Sequence, residues 1–262
     1  MRSPRLTTAD DHALAHDLAE RAGRLLLDLR AQGGDPAALK DAGDRSSHDF
    51  LMAELAKARP EDAVLSEEGI DDKDRLTANR VWIVDPLDGT REFGEQGRAD
   101  WAVHVALWSR DASASAGDLI AGAVALPAQD LVLSTTPATA PAVLVAQRPL
   151  RMVVSRSRAS QLVKDVAALI NADLVPCGSV GAKVATVITG ENDVYLHSGG
   201  FYEWDTAAPV AVARPHGFHV SRIDGSPVAY NQEDPLLPDI LICRPAIADL
   251  LLNAVREVTH AI

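Results

Sequence analysis

The sequence predicts a mixed chain, with an α+β first half followed by an α/β second half. Three observations carry this. Two helical patterns open the chain, and short apolar strands then follow one another with little more than turns between them. From about residue 150 onward strands and helices alternate, the rhythm of βα units. Between the two regimes lies an Ala/Thr/Pro-rich stretch, Pro137 to Pro141. The change of rhythm places a boundary near residues 145–150, giving an N-terminal domain over 1–147 and a C-terminal domain over 148–262.

Thr8 to Arg30 reads as an amphipathic helix, with Leu14, Leu18, Ala22, Leu25, Leu26 and Leu29 at helical spacing and Gly33-Gly34 as its stop. A second helix is expected from about Ser47 to Ala58, with Phe50, Leu51, Leu55 and Ala58 on one face and Asp49 in its first turn. Ala63 to Ser66 is a short strand that runs into Glu67-Glu68-Gly69. Val81 to Val84 is a buried strand, and Trp101 to Ser109 another. Leu119–Leu126 and Leu131–Ser134 form a strand pair closed by Pro127 to Asp130. In the second half, strands are expected at Arg151–Val154, Leu174–Pro176, Asp193–His197, Phe218–Arg222 and Ile240–Cys243. Helices are expected at Ala159–Asn171, after Gly178-Ser179-Val180-Gly181 through Lys183, Val187 and Ile188 to a stop at Gly190, from Asp205 or Thr206 to Ala213, and over Pro245–His260, with Ser198 to Tyr202 as a loop.

Composition narrows the function. The 262 residues suffice for a large core, and the formal charge is −12, with no Lys/Arg block long enough to seat a polyanion. A nucleic-acid polymer is therefore excluded as partner. Phosphates remain accessible if divalent cations first neutralise the carboxylates. Cys177 and Cys243 are far apart and lack ligand spacing, so they read as reduced buried thiols. No apolar h-region opens the chain and no run is long enough for a bilayer, so a soluble cytoplasmic protein is expected.

The chemistry concentrates in Val81-Trp82-Ile83-Val84-Asp85-Pro86-Leu87-Asp88-Gly89-Thr90. Two carboxylates, three residues apart, sit at a strand end on a turn stiffened by Pro86, and oxygen ligands suit Mg²⁺. Gly89 removes a Cβ that would block close approach, and Thr90 offers a hydroxyl where a helix could begin. Read alone, the stretch is equally an acidic turn. Glu67 and Glu68 shift the balance. If their strand neighbours the next one, the carboxylates converge at one edge, where they repel unless cations hold them. No Cys or His stands out as a nucleophile. Of the scattered histidines, His197 lies at a strand end near Asp205.

Val81 to Phe93 resembles the first signature of the inositol monophosphatase-like, metal-dependent, lithium-sensitive phosphatases, and Trp204-Asp205-Thr206-Ala207-Ala208 resembles their second. The resemblance covers nearly the whole chain and implies the layered αβαβα sugar-phosphatase fold. It implies Glu67, Asp85, the Leu87 carbonyl, Asp88 and Asp205 as ligands for two or three Mg²⁺ ions, with Asp85 bridging. Gly89 and Thr90 match the phosphate-binding turn, and Asp49 matches the acid that works with Thr90 on the attacking water. The wording around Asp49 departs from the family's, and Asp44 competes for that role. Arg214-Pro215-His216 also departs from the family, which has small residues there. Homodimers are common in the family.

Three features are similar to the CysQ-type group of 3′(2′),5′-bisphosphate nucleotidases. Val153 to Arg158 places Ser155, Arg156 and Arg158 at a strand end, where guanidinium groups suit a second phosphate. Gly178-Ser179 with Lys183 opens a helix, and Pro227 to Tyr230 with Leu237-Pro238 resembles the group's tail. Together they imply a small phosphorylated substrate, 3′-phosphoadenosine 5′-phosphate, cleaved to AMP and phosphate in sulfate assimilation. An inositol monophosphatase with fructose-1,6-bisphosphatase activity is the alternative within the family. A non-catalytic metal or inositol-phosphate binder is the alternative outside it.

Overall fold

The computed structural model describes residues 8–112, 117–136, 149–157 and 159–260. Two helices come first, α1 (Thr8–Ala31) and α2 (Pro36–Ala58). A five-stranded sheet follows in the order β1 (Ala63–Ser66), β2 (Arg80–Asp88), β3 (Ala102–Ser109), β4 (Asp118–Leu126), β5 (Leu131–Ser134), with the short helix α3 (Thr90–Gly94) after β2. Only β1 and β2 run parallel; the other neighbours are antiparallel.

The second half supplies β6 (Arg151–Ser155), α4 (Gln161–Leu169), β7 (Asp173–Cys177), α5 (Val180–Thr189), β8 (Val194–Tyr202), α6 (Glu203–Ala213), β9 (His219–Ser221), β10 (Leu236–Cys243) and α7 (Pro245–His260). Its sheet runs β7-β6-β8-β10-β9, parallel across the first three strands and antiparallel at β10 and β9.

Side-chain alternation stacks these elements in five layers. In β2, Trp82 and Val84 face a core shared with α1 and α2, whereas Val81 and Ile83 face a core shared with α5 and α6. The second sheet turns Val153, Tyr195, Ile240 and Ile242 to that same central core. It turns Met152, Leu196, Leu241 and Cys243 to α4 and α7. The order is thus helix pair, sheet, helix pair, sheet, helix pair, which is the αβαβα arrangement. Because α6 packs on β2, β3 and β4, the central layer joins the two halves. Residues 145–148, where the sequence places the boundary, lie outside the described residues.

Two expectations need correction. Helix α2 starts at Pro36, not near Ser47: the Asp35 side chain accepts the Ala37 and Ala38 N–H groups at 3.1 and 3.0 Å, and Pro36 occupies the first turn. The Gly33-Gly34 stop and this new start are adjacent, and the polar run from Lys40 to Ser46 hides the helix in between. Strand β8 also continues to Tyr202 through the expected loop. Gly199 and Gly200 adopt φ of 125° and 85°, and pairing with β10 resumes at Phe201 and Tyr202 across a register shift. Both cysteines are free thiols, Cys243 buried and Cys177 half-buried. No described helix is long and apolar enough to cross a membrane.

Candidate active site

The site forms where the C-terminal ends of β1 and β2 meet the N-termini of α5 and α6. Parallel pairing of Ser66 with Val84 brings Glu67 beside Asp85. Between Asp85 and Asp88 the pairing of β2 with β3 shifts, because Pro86 has no N–H for the ladder and the chain bulges there. The Leu87 N–H closes the bulge onto Asp85 Oδ1 at 3.0 Å. Both carboxylates thereby point the same way. Asp205 joins them from the first turn of α6, its Oδ2 accepting the Tyr202 N–H at 2.6 Å. One oxygen from each of Asp85, Asp88 and Asp205 lies within 4.8 Å of the others.

This crowding shows in the proton affinities. Burial, then the charges of Glu67, Asp88 and Asp205, push the Asp85 carboxyl well above the ordinary range. Glu67 is raised to about 7 by desolvation in the cleft and then by Asp205, although its outer side is exposed. Asp88 goes the other way. Burial would raise it, but His104, Lys183 and the Gly181 N–H outweigh that and lower it. Its Oδ2 accepts the Gly181 N–H at 2.7 Å and stands 3.1 Å from His104 Nε2.

At the carboxylates opens a cleft of about 610 Å³, whose lining includes Lys183, Arg156, His197, Phe201 and Tyr202. Helix α2 closes the site from the first half. Gly43 lets it approach closely, since a Cβ there would come within 2.9 Å of Phe93 and Leu87 side-chain carbons. The buried Ser47 hydroxyl donates to the Pro86 carbonyl at 2.7 Å. Asp44, on the same face, holds its Oδ1 3.2 Å from the Thr90 hydroxyl, which also lies 3.1 Å from the Leu87 carbonyl. Burial and then Glu68 raise Asp44 to about 6.

With that geometry in place, similarity to known proteins becomes informative. The model of the inositol monophosphatase family matches residues 13–260. The chain belongs to the inositol monophosphatase family. A curated 3′-phosphoadenosine 5′-phosphate phosphatase of Mycobacterium leprae is 49% identical over 95% of this chain and 94% of its own length. The 3′(2′),5′-bisphosphate nucleotidase CysQ of Escherichia coli K12 is 30% identical over 75% of this chain and 81% of its own. Among solved structures, CysQ from Bacteroides thetaiotaomicron aligns with TM-score 0.76 at 26% identity, over 90% of this chain and 97% of that one. Inositol monophosphatase II from Staphylococcus aureus aligns with TM-score 0.78 at 21% identity, over 94% and 95%.

The donor set of this inositol monophosphatase family member fits hard divalent cations. It is all oxygen, it converges, and the raised Asp85 and Glu67 mark carboxyls crowded by one another's negative charge as well as by burial. Glu67, Asp85, Leu87, Asp88, Gly89, Thr90, Ser155, Arg156, Ser179, Lys183 and Asp205 all border the cleft. Arg158 lies outside the described residues.

Several carry different duties from those expected. Asp49 is exposed on α2 and does not meet Thr90; Asp44 does. Five residues along a helix turn a side chain by about 140°, so the two acids cannot share a face. The Ser179 hydroxyl accepts the Ala182 N–H at 2.9 Å and caps α5. Gly89 adopts φ 86°, and a Cβ there would crowd Ser179 and the Asp100–Trp101 backbone, so its lack of a side chain lets these segments pack beside the cleft. Arg156 meets Glu92 and Glu95 at 2.7 to 3.1 Å through its two Nη atoms, so its fork is already shared with carboxylates. Lys183 Nζ, by contrast, is anchored by the Gly178 carbonyl at the cleft wall, 5.7 Å from the Tyr195 ring centre. Tyr230, in the stretch that resembles the tail of the nucleotidase group, is core: it is 2% exposed and its hydroxyl donates to Thr206 at 3.2 Å.

His104 and Glu203 were not singled out from the sequence. Glu203 is buried and accepts the Asn231 and Gln232 N–H groups, both at 2.7 Å, pinning the start of α6. Burial raises it to about 7. For His104 a signal existed: it is the one polar residue among apolar neighbours from Ala102 to Trp108.

Proposed function

We propose that this chain is a Mg²⁺-dependent phosphomonoesterase that removes the 3′-phosphate of 3′-phosphoadenosine 5′-phosphate, leaving AMP and phosphate. The observation that carries the choice of substrate is the 49% identity, along 95% of the chain, to a relative named for that activity. The cleft supports it, combining a carboxylate floor, a buried lysine and an aromatic rim in about 610 Å³, a size that takes a nucleotide.

Glu67, Asp85, Asp88, Asp205 and the Leu87 carbonyl would hold the cations. When bound, these supply Lewis-acid neutralisation of the ester's charge and of the leaving oxygen. Asp44 and Thr90 hold the attacking water: the hydroxyl orients it, and Asp44, at about 6, accepts a proton near neutral pH. Lys183 offers its ammonium to a phosphate oxygen. Tyr202, 45% exposed and stacked on Trp204 with ring centres 4.7 Å apart, offers a flat face to the base.

Product analysis tests this reading. With Mg²⁺ the protein is expected to convert 3′-phosphoadenosine 5′-phosphate to AMP and one phosphate, and with EDTA to do nothing. Release of the 5′-phosphate instead, or equal turnover in EDTA, would contradict it.

A further inference from the structure

His104 is fully buried on β3, opposite Asp85 in the ladder, and its side chain points into the central helical layer. Each ring nitrogen lies close to an oxygen, Nδ1 in a hydrogen bond and Nε2 in a charge contact that is not aligned as one. Nε2 stands 3.1 Å from Asp88 Oδ2, and Nδ1 stands 3.2 Å from the Trp204 carbonyl. Asp88 ends β2, and Trp204 immediately precedes Asp205 in α6. One imidazole therefore spans two of the separate segments that bring acidic groups to the cleft. Its space is reserved: a Cβ on Gly181 would overlap Nε2 and crowd Ala102, so residue 181 must lack one. The Gly181 N–H donates to the same Asp88 oxygen.

We propose that His104 is a positioning residue for the cation-binding carboxylates. It orients Asp88 through Nε2 and sets the distance to Asp205 through the Trp204 carbonyl, without touching substrate. A group that fixes a ligand from behind typically changes metal affinity by about 10–100-fold when removed. The inference rests on the metal-centre reading above.

Two variants separate the functions of the ring nitrogens. In His104→Gln the amide nitrogen sits where Nε2 was and can still reach Asp88. In His104→Asn it sits where Nδ1 was and reaches only Trp204. Mg²⁺ is titrated calorimetrically onto the wild type and both variants without substrate, and thermal unfolding is followed in EDTA. The expected result is a Kd for Mg²⁺ raised about 10–100-fold in H104N and about threefold or less in H104Q. The kcat lost in H104N should return at high Mg²⁺. A wild-type Kd in H104N, or Kd values in both variants that merely track their loss of Tm, would overturn the proposal. If H104N does not fold, H104Q decides alone, since a tenfold loss there contradicts the inference. A wild type that binds no Mg²⁺ defeats the metal-centre reading itself, and this inference with it.

Discussion

Asp88 is approached from three sides, by the Gly181 N–H, His104 and the charge of Lys183. Together these favour its ionised form, while burial and neighbouring carboxylates raise Asp85 and Glu67. Asp88→Asn should therefore abolish most activity and lower the EDTA-state Tm near neutral pH, because it removes a charge that His104, Lys183 and the Gly181 N–H stabilise; near-wild-type turnover in that variant would remove Asp88 from the metal centre. The acid beside Thr90 can be assigned by a paired experiment. Asp44→Asn should lower kcat by about 10²–10⁴, the usual worth of a positioned base, and Asp49→Asn should stay within about twofold. The opposite ranking would restore Asp49. At this scale the sequence was legible wherever a turn pinned the side chain, as at Asp85-Pro86-Leu87-Asp88-Gly89-Thr90. It was not legible at Asp44, whose direction depends on the phase of a helix whose start is concealed, nor at His104, whose partners come from other segments.

At the scale of elements, two close approaches build the site. Gly43 lets α2 reach the turn after β2, and Gly181 lets α5 reach the end of β2. Within a helix, Gly→Ala ordinarily stabilises by about 0.8–1 kcal/mol. Here the added carbon meets His104 and Ala102, so Gly181→Ala should lower Tm and weaken Mg²⁺ binding instead. A rise in Tm with intact Mg²⁺ affinity would show that α5 can move away at no cost. Strands β1 to β5 and helix α7 were readable from their apolar patterns because local turns end them. The extension of β8 was not, since Gly199 and Gly200 look like a loop until β10 pairs across them.

For the whole molecule, the acidic cleft couples stability to pH and to cations. Asp44, Glu67 and Glu203 stand at about 6, 7 and 7 in the fold, above their ordinary values of 3.8, 4.5 and 4.5. Groups raised in this way bind protons better folded than unfolded. Their contribution is present in full below about pH 4 and is lost as pH rises through 6 to 7. Asp11 and Asp71 are shifted the other way, Asp71 to about 2 by Arg75 and Asp11 by Arg80 and Arg59 against the opposing effect of burial. Their contribution is lost as pH falls below about 4. In EDTA the Tm should thus be higher at pH 5 than at pH 7.5, and the gain on adding Mg²⁺ should grow with pH. A metal-free Tm that rises steadily from pH 5 to 7.5 would contradict this. The layered architecture was legible only through the resemblance of two signatures, because periodicity finds helices and strands but does not say that α5 and α6 lie between two sheets.

The most direct test of the nucleotidase reading is kcat/KM with Mg²⁺ for 3′-phosphoadenosine 5′-phosphate against inositol-1-phosphate. A preference for the nucleotide of two orders of magnitude or more, roughly 2.7 kcal/mol of additional transition-state binding, is the predicted result. Equal or greater efficiency on inositol-1-phosphate would contradict it and make the cleft that of a sugar-phosphate phosphatase.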